Sequence, residues 1–338
     1  MRKYFLLLIL TVGFLTGCKA NNEINVIDKF SNEIKRSKSY HLLGTMEIQN
    51  DEIIYEYDMN VYHLNDNYYK VEMTNKSNNQ KQVILRNDEG LYVITPALNK
   101  SYKFESNWPD NSSQAYILSS LLRDINNDKN VKVDQKGKEY IIISTVNYPN
   151  NSDLKYQKVY LDDNYMIKKV EVYSSNDIIK IVVNFTDVDL KAGLKEKDFE
   201  LSEFIEEKPC EDDNCNEKKS MNTIETAIYP LYMPANTYLN SSEMVNSELD
   251  SRIILTFSGD KNFVLVEESS KINNELEIIP VYGEPIMLND TIGAISNNSM
   301  YWTSNDVDYY LVSNDLTESE MAMVATSLSN AKSTLAEK

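Results

Sequence analysis

Near the N-terminus a cysteine follows a leucine and two small residues, in the arrangement Leu15-Thr16-Gly17-Cys18. The basic residues Arg2 and Lys3 and a short apolar run precede it, as in a secretory signal. In a bacterial lipobox the cysteine thiol takes a diacylglycerol, the chain is cut before it, and the cysteine becomes the lipidated N-terminus. The pattern predicts a lipoprotein anchored through Cys18. The alternative is an ordinary signal beside a chance cysteine.

Two further cysteines, Cys210 and Cys215, lie in the acidic, polar stretch Glu206–Ser220. An exported protein can oxidise such a pair into a small loop. Zinc would need two more soft or imidazole ligands, and the chain offers only His41 and His63, both far away in sequence. The spacing favours a local disulfide that stiffens a linker, with free thiols and then a metal as the alternatives.

Motifs for catalysis are absent from the sequence. It has no Gly-rich phosphate loop, no G-x-S-x-G and no H-E-x-x-H. Acidic pairs such as Asp162-Asp163 could serve glycoside hydrolysis only across a cleft, and 52 acidic residues produce such pairs by chance. We therefore predict that the protein is not an enzyme, with no catalytic residue, no cofactor and no metal site.

The net charge disfavours two classes of binding partner. The formal net charge is −18, with 52 acidic against 34 basic residues. Nucleic acid and broad docking on anionic lipid both need a basic surface, so the charge disfavours both. A diacyl anchor, rather than the charge, is expected to hold the protein to the extracytoplasmic face of the membrane.

Alternating apolar residues predict a long antiparallel meander in the first half, preceded by the helix Ile24–Ile34 and interrupted by the helix Ser113–Asp124. Gly90 is placed where a hairpin turn needs a positive φ. Helices laid on the concave face of a curled sheet would make an open half-barrel, which could hold an apolar ligand. The predicted strands are His41–Gln49, Ile53–Leu64, Tyr68–Thr74, Gln82–Leu85, Leu91–Thr95, Ser101–Phe104, Glu139–Val146, Lys155–Leu161, Met166–Ser174 and Ile178–Phe185.

Trp108 stands before Pro109, where the strands give way to the second helix. A large aromatic side chain at such a junction either completes the core or forms the rim of a groove for a ligand or partner. Both interpretations remain open from the sequence.

After the acidic stretch the pattern changes to short strands and a closing helix. Thr317-Glu318-Ser319-Glu320 is a capping box that opens this helix. The fold class predicted is α+β, a half-barrel followed by a small α+β domain. The predicted segments are a signal peptide (1–17), a lipidated tether (18–23), the half-barrel (24–205), an acidic linker (206–222), the C-terminal domain (223–330) and a tail (331–338).

The segment Gln82–Gln114 resembles the sporulation lipoprotein family typified by YdcC. The resemblance rests on Arg86–Gly90, Thr95–Lys100 and Trp108-Pro109, and it extends to Trp302 and to the closing helix. The first half is similar in pattern to the LolA/RseB superfamily, a half-barrel lined with helices, to which the germination lipoprotein GerS also belongs.

The resemblance implies a lipoprotein made in the mother cell that acts at the forespore envelope and has no enzyme activity. A cortex amidase of the CwlD type is the protein partner that it suggests. We therefore predict a membrane-anchored binding protein that supports sporulation, cortex modification or germination. The alternative is a lipid or lipoprotein carrier of the LolA type with an apolar ligand.

Overall fold

The computed structural model describes residues 18–50, 53–204, 219–220, 224–246, 251–273 and 275–336. This part of the chain holds three α-helices, α1 (Cys18–Arg36), α2 (Leu118–Asn127) and α3 (Glu318–Ala336). The strands are β1 (Ser39–Asn50), β2 (Ile53–Leu64), β3 (Tyr68–Asn75), β4 (Lys81–Asn87), β5 (Gly90–Thr95), β6 (Lys100–Phe104), β7 (Lys132–Lys136), β8 (Glu139–Thr145), β9 (Leu154–Leu161), β10 (Ile167–Ser174), β11 (Ile179–Asp189), β12 (Lys219–Ser220), β13 (Thr237–Asn246), β14 (Ser251–Gly259), β15 (Phe263–Ser269), β16 (Lys271–Ile272), β17 (Glu277–Val281), β18 (Glu284–Met287), β19 (Ile292–Ile295), β20 (Ser299–Ser304) and β21 (Val307–Val312).

A twelve-stranded sheet dominates the molecule, in the order β17-β6-β5-β4-β3-β2-β1-β11-β10-β9-β8-β7. All its neighbours are antiparallel except β17 and β6. A flat sheet of this width would be about 50 Å across. Phe104 of β6 and Val133 of β7 nevertheless share one hydrophobic core. The sheet is therefore strongly curled, and the predicted α+β class with a helix-lined half-barrel is confirmed.

The helices α1 and α2 fill the concave face of this sheet. Val26, Phe30 and Ile34 of α1 and Leu121 of α2 all lie in the main core. The helix α1 begins at Cys18, six positions before the predicted start. Residues 18–23, predicted as a lipidated tether, form the first turns of this helix, since they contain neither proline nor glycine to stop it. Their role as a tether remains a prediction.

The opposite face of β3, β4 and β5 is covered by two short 3-10 turns, Glu196–Phe199 and Leu201–Phe204. Phe199 and Phe204 pack there against Val83, Leu85 and other apolar side chains. Strands β3 to β5 are therefore buried on both faces, which explains the near-continuous apolar run in β4.

A second sheet has seven strands in the order β13-β14-β15-β21-β20-β19-β18. The helix α3 packs on it through Met321, Val324 and Leu328. The capping box predicted at its start is confirmed. The Thr317 hydroxyl accepts from the Glu320 amide at 3.2 Å, and the Glu320 carboxylate accepts from the Thr317 amide at 2.8 Å. Both contacts satisfy donors that the helix itself leaves unpaired.

Strand β17 connects the C-terminal segment to the large sheet. It belongs by sequence to the segment predicted as a separate C-terminal domain, yet it pairs in parallel with β6 of the large sheet. Gln82 of β4 adds a second connection, because its side-chain oxygen accepts from the Ile292 amide at 2.7 Å. The domain limits remain a prediction, and these bonds connect the two predicted domains directly.

Three local differences from the sequence predictions have simple causes. The helix α2 starts at Leu118, five positions after the predicted start, because residues 113–117 form irregular backbone with a turn at 115–116. Strands β7 and β13 were not predicted, because β7 is short and polar and β13 is exposed along most of its length. Neither therefore shows the alternation of apolar and polar residues that marks a half-buried strand.

Candidate functional site

Cys18, the predicted lipid-attachment residue, is the first residue of α1. Val26, eight positions along the same helix, is already buried in the core. At 1.5 Å per residue these positions are separated by about 12 Å along the helix axis. An anchor at Cys18 would hold the half-barrel close to the membrane.

Trp108 lies inside the core, so the interpretation that placed it on the rim of a groove is wrong. Its side chain is only 2% exposed. The indole packs edge-on against the Tyr69 ring, at 5.9 Å between ring centres. Its role is to close the end of the concave face between β3 and the segment that leads to α2.

A transverse row of polar and aromatic side chains crosses the concave face next to this tryptophan. The register places Tyr40 opposite His63, His63 opposite Tyr69, and Tyr69 opposite Arg86. The His63 ring lies between the two tyrosine rings, at 4.6 Å from each. The Tyr69 hydroxyl also lies 3.1 Å from the Ser119 hydroxyl at the start of α2, which ties the row to the helix.

Burial controls the charge state of this row. It lowers the pKa of His63 to about 4, so the imidazole is neutral at physiological pH. Within the described residues, His63 Nδ1 and Arg86 Nη1 are buried without a hydrogen-bond partner. The row packs the sheet against α2 through the adjacent rings of Tyr40, His63 and Tyr69 and the contact of Tyr69 with Ser119.

A second buried titratable group lies at the other end of α2. Burial raises the pKa of Asp124 to about 6. Its carboxylate accepts from the Gln157 amide nitrogen at 3.4 Å. This carboxylate faces the sheet, and we assign it a structural role.

The concave face contains a small pocket. Its volume is about 10 Å³, and it lies between the helices and the sheet, lined by Phe30, Leu118, Tyr165 and Val188 among others. It has room for about one water-sized sphere. This pocket by itself is too small for an acyl chain.

The exposed apolar side chains of the second sheet are concentrated on its outer strand. Strand β13 pairs with β14 on one side, and its other edge carries no strand among the described residues. Tyr238, Leu239, Met244 and Val245 are 61%, 40%, 47% and 51% exposed. We call these four residues the β13 patch. A bulge between Leu239 and Ser241 leaves Ser241–Asn246 as a regular edge.

Such an edge presents unpaired backbone amides and carbonyls together with apolar side chains. It can accept an extended segment of another protein as an additional strand. Sequence periodicity could not identify this edge strand. Its exposed apolar residues do not alternate with polar ones, and such alternation is the pattern that marks a half-buried strand.

The remaining sequence candidates lie elsewhere. Cys210 and Cys215 fall outside the described residues, so their pairing stays a prediction. Over the ranges that the structure describes, no group of three histidine, cysteine, aspartate or glutamate side chains is placed to hold a metal ion. No helix in that part of the chain is long and apolar enough to cross a membrane.

Comparison with known proteins identifies the family. The model of the family described as "Sporulation protein YdcC-like" matches residues 2–199. The sporulation protein YdcC of Bacillus subtilis (strain 168) is 32% identical over 344 residues, covering 97% of each chain. The chain belongs to the YdcC-like sporulation protein family.

This YdcC-like chain is also similar to a number of solved structures, two of which illustrate the range of coverage. The MucA/MucB complex of Pseudomonas aeruginosa aligns at 12% identity over 90% of this chain and 98% of that chain, with a TM-score of 0.32. A LolA superfamily protein from Nitrosomonas europaea aligns at 12% identity over 54% of this chain and 98% of that chain, with a TM-score of 0.32. The family assignment rests on the sequence matches.

Proposed function

We propose that this YdcC-like protein is a lipoprotein anchored through Cys18 on the extracytoplasmic side of the membrane, where it binds a partner protein of the spore envelope. The β13 patch is the observation that carries the proposal. The partner supplies an extended segment that adds to β13 as an eighth strand of the second sheet. Sporulation, cortex modification or germination is the process that this binding supports.

The chemistry of the edge defines the partner segment. Backbone hydrogen bonds to β13 provide affinity, and apolar side chains of the segment cover the four exposed residues of the patch. The formal charge of −18 favours a segment that carries basic residues beside these apolar ones. A CwlD-like amidase, the partner implied by the family resemblance, is the first protein to test.

A substitution pair of matched chemistry tests the edge. Met244→Lys places a charge on β13, and lysine on an edge strand opposes strand addition. Met323→Lys on α3 is the control, because Met323 is 44% exposed and Met244 is 47% exposed. We expect the first variant to weaken binding of the purified amidase at least about tenfold, equal to about 1.4 kcal/mol, and the control to leave it unchanged.

Hydrogen exchange locates the contact. Binding should slow amide exchange in residues 237–246, since these amides would enter a ladder. Equal binding by both variants, or slowed exchange confined to other strands, would rule out the β13 edge as the site. Sedimentation of the protein alone distinguishes a second copy of this chain as the occupant.

A carrier function of the LolA type is the second candidate. The pocket of about 10 Å³ on the concave face does not favour it. Organic extraction of purified protein is the direct test, because a carrier would yield non-covalently bound acyl chains in proportion to protein, in addition to the diacylglycerol attached at Cys18.

A further inference from the structure

The path of α1 shows which part of the half-barrel lies nearest the predicted anchor. Its C-terminal part lies over the end of β11, where Ile34 shares a pocket lining with Val188 and Leu190. One turn earlier, the Lys29 ammonium donates to the Tyr165 hydroxyl at 2.9 Å, between β9 and β10. The Tyr165 ring stacks on Tyr140 of β8.

These contacts place the helix over the end of β11 and then over the turn between β9 and β10, which stacks on β8, as it runs back towards its N-terminus. It also packs against β7, the last strand of the sheet. Cys18 must then lie beyond Val26, on the side of the β7 edge. With about 12 Å of helix between these two residues, this edge is close to the point of lipid attachment.

The β7 edge is basic in a strongly acidic protein. Residues 129–138 contain four lysines and one aspartate, so this segment carries a formal charge of +3 in a chain of −18. All four lysines are exposed. Lys138 lies 3.7 Å from Asp163, with both side chains largely exposed, and Asp128 and Glu139 flank the segment in sequence. We call Lys129, Lys132, Lys136 and Lys138 the lysine edge.

We propose that the lysine edge rests on the anionic headgroups of the membrane that holds the Cys18 anchor. This inference depends on the anchor of the proposed function. A basic segment beside a lipid anchor is attracted to anionic lipid within about a Debye length of the surface, which is about 8 Å at physiological ionic strength. The acidic remainder of the molecule is repelled, so the half-barrel is held in one orientation.

Lysine on an outer strand also prevents pairing between sheets, and that role alone needs no membrane. The position of the edge separates the two explanations. The other terminal strands of the two large sheets, β13, β17 and β18, carry no lysine.

Lysine labelling tests the orientation without altering the chain. The lipidated full-length protein is reconstituted on vesicles of phosphatidylglycerol or of phosphatidylcholine and treated with an amine-acylating reagent. Mass spectrometry then reports the labelling of each lysine. Lys195 and Lys197 are native controls, because both are exposed beside the 3-10 turns on the opposite face of the sheet.

We expect the lysine edge to be labelled about fivefold more slowly on phosphatidylglycerol than on phosphatidylcholine, with Lys195 and Lys197 unaffected. About 1 M salt should abolish the difference, since the Debye length falls to about 3 Å. The double substitution of Lys132→Gln with Lys136→Gln should remove the protection of Lys129 and Lys138. The matched pair at Lys195 and Lys197 should leave it intact.

Other outcomes overturn the proposal in distinguishable ways. If the protein sediments with the vesicles but all its lysines label equally, the anchor stands and the orientation is wrong. Equal protection on both lipids would mean that headgroup charge has no part in it. Failure to sediment with either lipid would remove the anchor, and the orientation proposal would fall with it.

Discussion

Replacement of His63 by phenylalanine should change how the stability of the protein depends on pH. Burial lowers the pKa of His63 to about 4, against 6.5 for an exposed imidazole. Between these values the unfolded chain binds more protons than the folded one. Stability therefore falls as the pH drops through this window. The variant His63→Phe keeps a ring between Tyr40 and Tyr69 and removes the titrating group.

The size of the effect follows from the two pKa values. Because the unfolded chain binds a proton at His63 more readily than the folded protein, the unfolding free energy of the wild type falls. Relative to pH 7, the decrease is about 2 kcal/mol at pH 5 and about 3 kcal/mol at pH 4. The phenylalanine variant avoids this decrease. It also removes the unpaired His63 Nδ1, whose burial costs roughly 1 kcal/mol at any pH.

Urea unfolding of both proteins at about pH 7, 5 and 4 measures the difference between their unfolding free energies. Asp124→Asn is the control, because Asp124 makes the unfolding free energy depend on pH in the opposite direction. Burial raises its pKa to about 6, so the folded state binds the extra proton between pH 4 and 6 and stability falls as the pH rises. This variant should gain about 3 kcal/mol above pH 6, because a pKa raised from 3.8 to about 6 corresponds to that free energy.

The two groups oppose each other in the wild type, which is why single variants are needed. A stability gap between wild type and His63→Phe that stays constant from pH 7 to pH 4 would refute the reasoning. It would mean that His63 protonates in the folded protein as readily as in the unfolded chain.

Three further predictions concern other parts of the chain. Gln82→Leu should lower the unfolding free energy by about 2 kcal/mol, measured by urea unfolding, because the buried backbone of β19 loses its partner. Cys18→Ala should move the protein from the membrane fraction to the soluble fraction with its thermal stability unchanged; retention at the wild-type level would contradict lipidation. Limited proteolysis should cut within 206–220, faster after reduction if Cys210 and Cys215 form a disulfide; a cut elsewhere would move the predicted boundary.

Local sequence patterns were sufficient for most of the large sheet. Ten of its strands were predicted within a few residues, because alternation and turn residues are local properties. Gly90 has the positive φ of 144° that the hairpin turn requires. The capping box at Thr317 likewise depends only on residues three positions apart.

Side-chain environments were not predictable in the same way. The sequence left Trp108 between core and groove rim, since either place suits a large aromatic residue. Its burial depends on Tyr69, 39 positions away, and on the curl of the sheet. The neutral state of His63 has the same origin, because cross-strand register brings its two tyrosine neighbours together.

The sequence alone was sufficient to predict the lipid attachment at Cys18 and to give the net charge. The lipobox at Cys18, the lack of catalytic motifs and the acidic balance are properties of the chain itself. The tertiary structure decided where charge and apolar surface are exposed. The protein has a net charge of −18, yet a basic strand edge lies near the predicted anchor, because α1 packs against β7. It acquired an apolar outer strand because β13 has a neighbour on one side only, and strand order is a long-range property that no local pattern contains.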